Sequence, residues 1–344
     1  MVEKLRAGVI GCGFFAQNHL NAWRDLEDVE LVAVCDRDEA RAKRAAEKFG
    51  VQSVFTGAEA MLQSAGLDFV DIATTAETHR PLVELAARYQ THTICQKPFA
   101  PSMQDARAMV MACQQAGVRL MVHENFRWQT PMRRVKARLD DIGEVFYGRI
   151  YWRSAFDVFA NQPYLAEDER FIIYDLGIHL LDLARYFMGE VERLTCLTRR
   201  VNPNIKGEDV ATFLLKMQSG AACVVEISFA SRRETETFPQ TLVTLEGSNG
   251  SVDLQYDYQM TVVRGSEVTH ERAAPAVYAW STPPLEVVQE SVLAIQRHWV
   301  ECLRANREPD TSGADNLKTL ELVFGGYESA ASGLPYVVGA AGVG

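Results

Sequence analysis

The first 125 residues alternate between two hydrophobic periods. Short apolar, largely β-branched runs at Ala7–Ile10, Leu31–Val34, Phe69–Ala73, Thr91–Cys95 and Leu120–Val122 are separated by stretches of helical spacing at Phe15–Leu26, Asp38–Phe49, Ala58–Gln63, Thr78–Tyr89 and Met103–Gln115. Apolar strands spaced by helices predict an α/β fold, a doubly wound parallel sheet covered on both faces. Pro81 and Pro101 are expected in the first turns of their helices, where a missing N–H is no loss.

Beyond residue 125 the pattern changes. Helices are predicted over Pro131–Asp141 and Asp175–Met188. Strands of period two are predicted at Val145–Arg153, Glu192–Arg199, Val210–Lys216, Ala222–Phe229, Thr241–Leu245, Ser251–Gln255, Met260–Arg264 and Val268–Arg272, with a tight turn at Gly247–Gly250. This is the grammar of an α+β domain, a large, open, mostly antiparallel sheet with helices on one face. Leu285, Val288, Val292, Ile295, Trp299 and Leu303 form the stripe of a final amphipathic helix, and Gly339–Gly344 reads as a featureless tail. Two domains follow, residues 1–124 and 125–344, the second expected to carry substrate binding and self-association.

Apolar residues make up 47% and charged residues 23%, which is the balance of a globular chain. Lysine and arginine total 35 against 45 acids, a formal charge of −10. Such a surface repels phosphate backbones and anionic lipid, so neither nucleic acid nor a membrane is an expected partner. The seven cysteines, Cys12, Cys35, Cys95, Cys113, Cys196, Cys223 and Cys302, form no CxxC pair and no metal-ligand spacing. They read as buried thiols in a reducing, cytoplasmic setting. The N-terminal run Ala7–Ile10 is broken by glycines and reads as neither a signal peptide nor a membrane span. Asn249-Gly250-Ser251 matches a glycosylation sequon but is read as a hairpin turn.

Gly11-Cys12-Gly13-Phe14-Phe15-Ala16 ends the first strand and opens the first helix. A first glycine makes the tight turn, a second lets a pyrophosphate approach the backbone, and a small third residue lets helix pack on strand. The helix N-terminus then faces the phosphates. The second strand ends in an acid, Val34-Cys35-Asp36, placed to take the adenosine ribose hydroxyls. The combination marks a Rossmann dinucleotide site, and the acid favours NAD over NADP. Arg37, next in sequence, complicates that preference because a guanidinium beside the ribose suits a 2′-phosphate.

Thr93-Ile94-Cys95-Gln96-Lys97-Pro98 and Asp175-Leu176-Gly177-Ile178-His179-Leu180-Leu181-Asp182, taken with the glycine motif, resemble the glucose–fructose oxidoreductase, inositol dehydrogenase and rhizopine-catabolism (Gfo/Idh/MocA) family through both domains. The resemblance implies that Lys97, Asp175 and His179 form the catalytic group. The chemistry of alcohol oxidation points the same way. A base must take the hydroxyl proton, and histidine ordinarily titrates near neutrality, at roughly 6.5. Asp175, four residues earlier, is expected one helical turn away on the same face, to bind a substrate hydroxyl or orient the imidazole. Lys97, after a parallel strand, is expected where ligands bind in such sheets, with its ammonium on the reacting oxygen. The spacing of Asp175, His179 and Asp182 is also compatible with a metal patch, but no metal is expected, and Asp182 is read as a supporting group.

Two departures from the family pattern stand out. Gln96 replaces the usual acid before the lysine, keeping hydrogen bonds but losing charge. Thr74-Thr75-Ala76 replaces a Thr-Pro-Asn-like turn and is followed by His79, either a lining of the cofactor groove or a structural residue. The resemblance assigns Asn125 to the nicotinamide end and Arg127 to the substrate. Trp152, Arg153, Phe156 and Asp157 are further pocket candidates, aromatics stacking on a sugar ring while Arg and Asp bind its hydroxyls. The Gln96-Lys97-Pro98 and Glu124–Trp128 segments are similar to a branch of bacterial aldose dehydrogenases that oxidise an anomeric carbon to a lactone. The expected activity is an NAD-dependent sugar or polyol dehydrogenase, a homodimer or homotetramer. An NAD-dependent glycosidase working by transient oxidation and a non-catalytic dinucleotide sensor are the alternatives.

Overall fold

The computed structural model describes residues 3–160, 162–232 and 240–340; the expected tail lies outside them from 341 onward. The chain divides into two compact units. The first comprises Met1–Trp128, Tyr278–Ser281 and Val288–Lys318, and the second comprises Gln129–Val277, Thr282–Val287 and Thr319–Gly344.

In the first unit six strands, β1 (Leu5–Ile10), β2 (Val29–Cys35), β3 (Ser53–Phe55), β4 (Phe69–Ile72), β5 (His92–Gln96) and β6 (Leu120–His123), form an all-parallel sheet in the order β3-β2-β1-β4-β5-β6. Five helices alternate with them: α1 (Ala16–Asp25), α2 (Glu39–Phe49), α3 (Ala58–Ser64), α4 (Ala76–Arg88) and α5 (Met103–Ala116). This is the doubly wound order whose chain reversal leaves a ligand crevice at the strand C-termini. Helix ends follow local chemistry. Asp38 caps α2 by accepting from Arg41 N–H at 3.1 Å, and Ser102 caps α5 by accepting from Asp105 N–H at 3.1 Å. Strand β3 was not anticipated, because three residues offer no readable period, yet it pairs with β2 from Ala33 to Cys35.

The two prolines sit elsewhere than expected. Helix α4 begins at Ala76, so Pro81 lies inside it and cannot donate to the Glu77 carbonyl one turn earlier. Pro101 precedes the Ser102 cap. The domain boundary also differs from a single cut near 125. Helix α9 (Glu286–Arg304) sends Val292, Ile295 and Trp299 into one core with Trp23 and Phe69. Trp280 donates to Asp25 Oδ2 at 2.6 Å. Burial of that apolar stripe is what returns residues 288–318 to the first unit.

The second unit opens with α6 (Thr130–Lys136) and α7 (Leu139–Ile142) where one continuous helix was predicted. The chain tightens at the break, with Arg138 N–H bonding to Val135 C=O at 3.0 Å, and Arg138 is held by Glu271. Nine strands follow: β7 (Val145–Arg153), β8 (Val191–Arg199), β9 (Val210–Met217), β10 (Ala222–Ser228), β11 (Leu242–Gly247), β12 (Gly250–Leu254), β13 (Gln259–Arg264), β14 (Glu267–Arg272) and β15 (Tyr336–Val337). Their order is β14-β13-β12-β11-β7-β10-β9-β8-β15, and every pair is antiparallel except β7–β10. Gly247 and Gly250 close the predicted hairpin. Helix α8 (Ile178–Met188) packs on β7 and β10. The face of the sheet that α8 does not cover carries Leu197 and Leu214 exposed. Helix α10 (Gly313–Ser332) completes the set. Among the described residues no helix is long and apolar enough to cross a membrane.

Candidate active site

The glycine-rich turn has the geometry its sequence implies. Gly11 has φ +96°, and a Cβ there would stand 2.5 Å from the Ala73 carbonyl oxygen. A Cβ on Gly13 would meet nothing within 4 Å, so the backbone at that point borders open space. Ala16 is buried at the start of α1, and no side chain caps that helix at Phe15. A cavity of about 480 Å³ adjoins the turn, lined among others by Cys12, Gly13, the exposed Phe14, Gln17, Arg41 and Lys48. Open space, an uncapped ten-residue helix and flanking cations fit a dinucleotide pyrophosphate.

Asp36 is 8% exposed at the end of β2, and its two oxygens accept from Cys12 N–H and Asp38 N–H, each at 2.9 Å. These bonds aim the carboxylate and leave it lone pairs for ribose hydroxyls. Arg37 is exposed, whereas the Arg41 guanidinium stands 3.8 Å from Asp36. The cation beside the acid is thus Arg41, which sequence reading passed over; the signal was its place one turn into the following helix. Burial, and next Asp36, push the Cys12 thiol up to about 12, which keeps it protonated and unreactive.

Thr74 and Thr75 lead from β4 into α4, and Thr78 donates to the Thr74 hydroxyl at 2.8 Å. His79 is completely buried, its ring nitrogens 3.1 Å from the Phe99 carbonyl and 3.2 Å from the Thr74 carbonyl. It braces the turn from beneath and does not line the groove. Burial lowers its pKa against the opposing pull of the Phe99 and Thr74 carbonyls.

Lys97 follows β5 and is half-buried. The Gln96 side chain turns inward, accepting from Lys97 N–H at 2.6 Å and meeting His19 Nε2 at 3.0 Å. Both contacts of Gln96 thus lie within the protein interior, and the residue is 7% exposed. Glu124, one residue beyond β6, is fully buried, and its carboxyl is pushed up to about 8 by burial against the opposing pull of Lys97 and Arg127. An acid in an otherwise apolar strand end was its signal, and sequence reading gave it no role. Asn125 donates to Ser291 Oγ at 2.5 Å, tying the segment after β6 to α9. Arg127 pairs with Asp315 at 3.1 Å and reaches the Asp310 carbonyl at 3.5 Å.

In the second unit the helix expected from Asp175 starts as a π-helical turn, Ile173–Gly177, before α8. Glu208 anchors the start of the turn by accepting from Ile173 N–H at 3.0 Å and from Tyr327 OH at 2.8 Å. Gly177 lets the turn sit close to β10, since a Cβ would stand 3.0 Å from the tip of Ile227, at Cδ1. Asp175, half-buried, lies within this wider turn, and His179, 3% exposed, lies in the first turn of α8. Asp182 is buried and accepts from Thr319 at 2.8 Å, with Arg185 donating to the same hydroxyl, so it braces the helix.

The pocket candidates on β7 separate. Successive residues of a strand point to opposite faces. Trp152 faces the α8 side and packs edge-on against Phe229, with ring centres 4.6 Å apart. Arg153 turns to the uncovered face, toward Ser231 and Glu226. Phe156 is half-buried, and the exposed Asp157 caps a short helical turn by accepting from Phe159 and Ala160 N–H. The structure thus removes Arg153 from the Trp152 side. Among the described residues no group of three or more His, Cys, Asp or Glu is arranged to hold a metal.

Residues 5–124 match the profile of the GFO/IDH/MocA oxidoreductase family with its NAD-binding Rossmann fold, and residues 132–253 match the family's C-terminal domain. The chain is 51% identical over 341 residues to a D-apiose dehydrogenase of Rhizobium rhizogenes, covering 98% of this chain and 99% of that one. It is 54% identical over 334 residues to a D-apiose dehydrogenase of Paraburkholderia graminis, covering 96% and 89%. A crystal structure of an Agrobacterium radiobacter oxidoreductase in complex with NAD+, L-tartaric acid and magnesium superimposes with a TM-score of 0.97 at 51% identity, over 98% of this chain and 99% of that one. The aldose-dehydrogenase branch expected from the Gln96–Pro98 and Glu124–Trp128 segments is where these relatives fall. The chain belongs to the GFO/IDH/MocA family and is an NAD-dependent oxidoreductase.

Proposed function

We propose that this sugar dehydrogenase oxidises a branched or simple cyclic aldose of the D-apiose kind at its anomeric hydroxyl, giving the lactone and NADH. The observation that carries the reading is the pair of nearly full-length relatives at 51% and 54% identity, both D-apiose dehydrogenases. NAD, when bound, supplies the hydride acceptor at nicotinamide C4. Asp36 and the Gly11–Gly13 turn hold its adenosine and pyrophosphate ends. His179 takes the hydroxyl proton, with Asp175 binding a neighbouring hydroxyl or aligning the imidazole. The Lys97 ammonium polarises the same oxygen and steadies the alkoxide charge that develops as the proton leaves, before the hydride departs for the nicotinamide. Trp152 and Phe156 supply apolar surface for the sugar ring.

Incubating the protein with NAD+ and a panel of aldoses and inositols tests this by NADH absorbance and lactone analysis. Turnover of D-apiose is expected; activity on inositols alone overturns the aldose assignment. Sugar released from a glycoside without NADH build-up would favour the glycosidase reading, and NADH binding with no activity the sensor. The acidic surface and the protonated, buried thiols support a cytoplasmic location, and the exposed apolar residues on the uncovered sheet face support a homodimer or homotetramer.

A further inference from the structure

We propose that Gln96 and His19 are positioning residues for Lys97. A buried relay, Asp71–His19–Gln96, fixes the peptide at the root of the lysine and works with His19 carrying its single proton on Nδ1. The inference rests on the reading of Lys97 as a catalytic residue.

The direction of every link follows from chemistry. The Lys97 peptide N–H can only donate, so the Gln96 atom 2.6 Å away is the carbonyl oxygen Oε1. That leaves the Gln96 amide nitrogen, which can only donate, 3.0 Å from His19 Nε2. His19 Nε2 must therefore accept, and the ring proton lies on Nδ1, 2.7 Å from Asp71 Oδ2. Trp23 Nε1–H donates to the same Asp71 oxygen at 2.6 Å. The relay joins α1, β4 and β5. Trp23, His19, Asp71 and Gln96 are all buried, with His19 and Asp71 at 0% exposure, so water offers no substitute for a broken link.

The surroundings hold the ring as tightly as the relay does. His123 of β6 stacks on His19 with centres 4.1 Å apart, the Phe15 ring meets it edge-on at 5.5 Å, and Gln296 of α9 donates to the His19 carbonyl at 3.4 Å. The titratable groups that face His19 are thus Asp71 on β4 and, stacked on its ring, His123 on β6. An amide at position 96 suits this arrangement and a carboxylate does not. Glutamate there would still accept from Lys97 N–H, but it would set an oxygen against the bare His19 Nε2 lone pair unless the ring took a second proton.

Imidazole ¹⁵N spectra of the full-length protein bound to NADH, together with kcat–pH profiles, test the proposal. In the parent, His19 is expected as the neutral Nδ1–H tautomer. In Gln96→Glu that ring loses the amide donor to Nε2, and kcat should fall below the parent's across the profile, because the carboxylate opposes the bare Nε2 lone pair. Gln96→Leu, which breaks two links, should lower kcat by about 10²-fold with little change in NADH affinity. An Nε2–H tautomer in the parent, or a Gln96→Glu profile that superimposes on the parent's, overturns the relay. A folded Gln96→Leu with parental kcat overturns its role in positioning. Unchanged turnover in Lys97→Ala would instead sink the catalytic reading while leaving the tautomer result standing.

Discussion

Asp36, Lys97 and Glu124 each stand one residue past a parallel strand, β2, β5 and β6 respectively, in the first unit. Asp175 and His179 in the second unit ride on a π-turn and helix propped from far along the chain by Glu208 and Tyr327. A strand-end group is positioned by backbone topology, so its address follows from the order of the strands. A helix-borne group depends on distant side chains that no local pattern announces. The first kind of site should tolerate changes around it that leave the backbone path intact, and the second should not.

The largest expected effect treats the two regions alike. His179→Ala and Lys97→Ala should each lower kcat by about 10³-fold while NADH titration by fluorescence remains near parental. A variant that loses NADH binding along with turnover would show that its residue belongs to the cofactor site or the fold.

Glu124 separates the regions by pH. Its folded carboxyl binds a proton more tightly than the unfolded one, so its contribution to stability is full below the ordinary value of 4.5 and is lost as pH rises to about 8. Glu124→Gln cannot ionise. Its stability relative to the parent should climb across that window by about 5 kcal/mol, read from melting temperatures at a series of pH values. A constant gap would place the carboxyl in a more solvated setting than the structure gives it.

Two glycines sharpen the contrast. Gly11→Ala forces both a left-handed φ and a clash with fixed backbone at the Ala73 carbonyl, and should cost about 3 kcal/mol in urea unfolding. Gly177→Ala meets mainly the movable tip of Ile227 and should cost about 1 kcal/mol, with its larger effect on kcat as the π-turn shifts under His179. Equal losses would erase the distinction drawn between topology-set and side-chain-set positions. The smallest effect is expected for Arg153→Ala, which lies on the uncovered face and should leave kcat/KM within about 2-fold, as an exposed ion pair contributes little. A large drop would return it to the pocket.

Legibility in the sequence follows the same division. The parallel sheet, the glycine turn and Asp36 were readable because fully buried strands are apolar throughout and the turn needs particular residues. The opposite directions of Trp152 and Arg153 were also available, since adjacent strand residues alternate, but composition alone had grouped them. Arg41, His19 and Asp71 went unread although Asp71 interrupts the buried strand Phe69–Ile72, where an acid demands a partner. Naming that partner required knowing which helix crosses over it. The anchor of the π-turn was hidden for a similar reason: Glu208 lies 35 residues beyond Ile173.

The return of residues 288–318 to the first unit has a consequence for synthesis. A ribosome that has made everything up to Trp128 has produced all six strands but none of the helix whose Trp299 fills their core. That helix emerges roughly 10 to 40 s later at usual elongation rates. Until then the earlier segment lacks part of its apolar interior, and a shortened chain ending near residue 128 would never complete it.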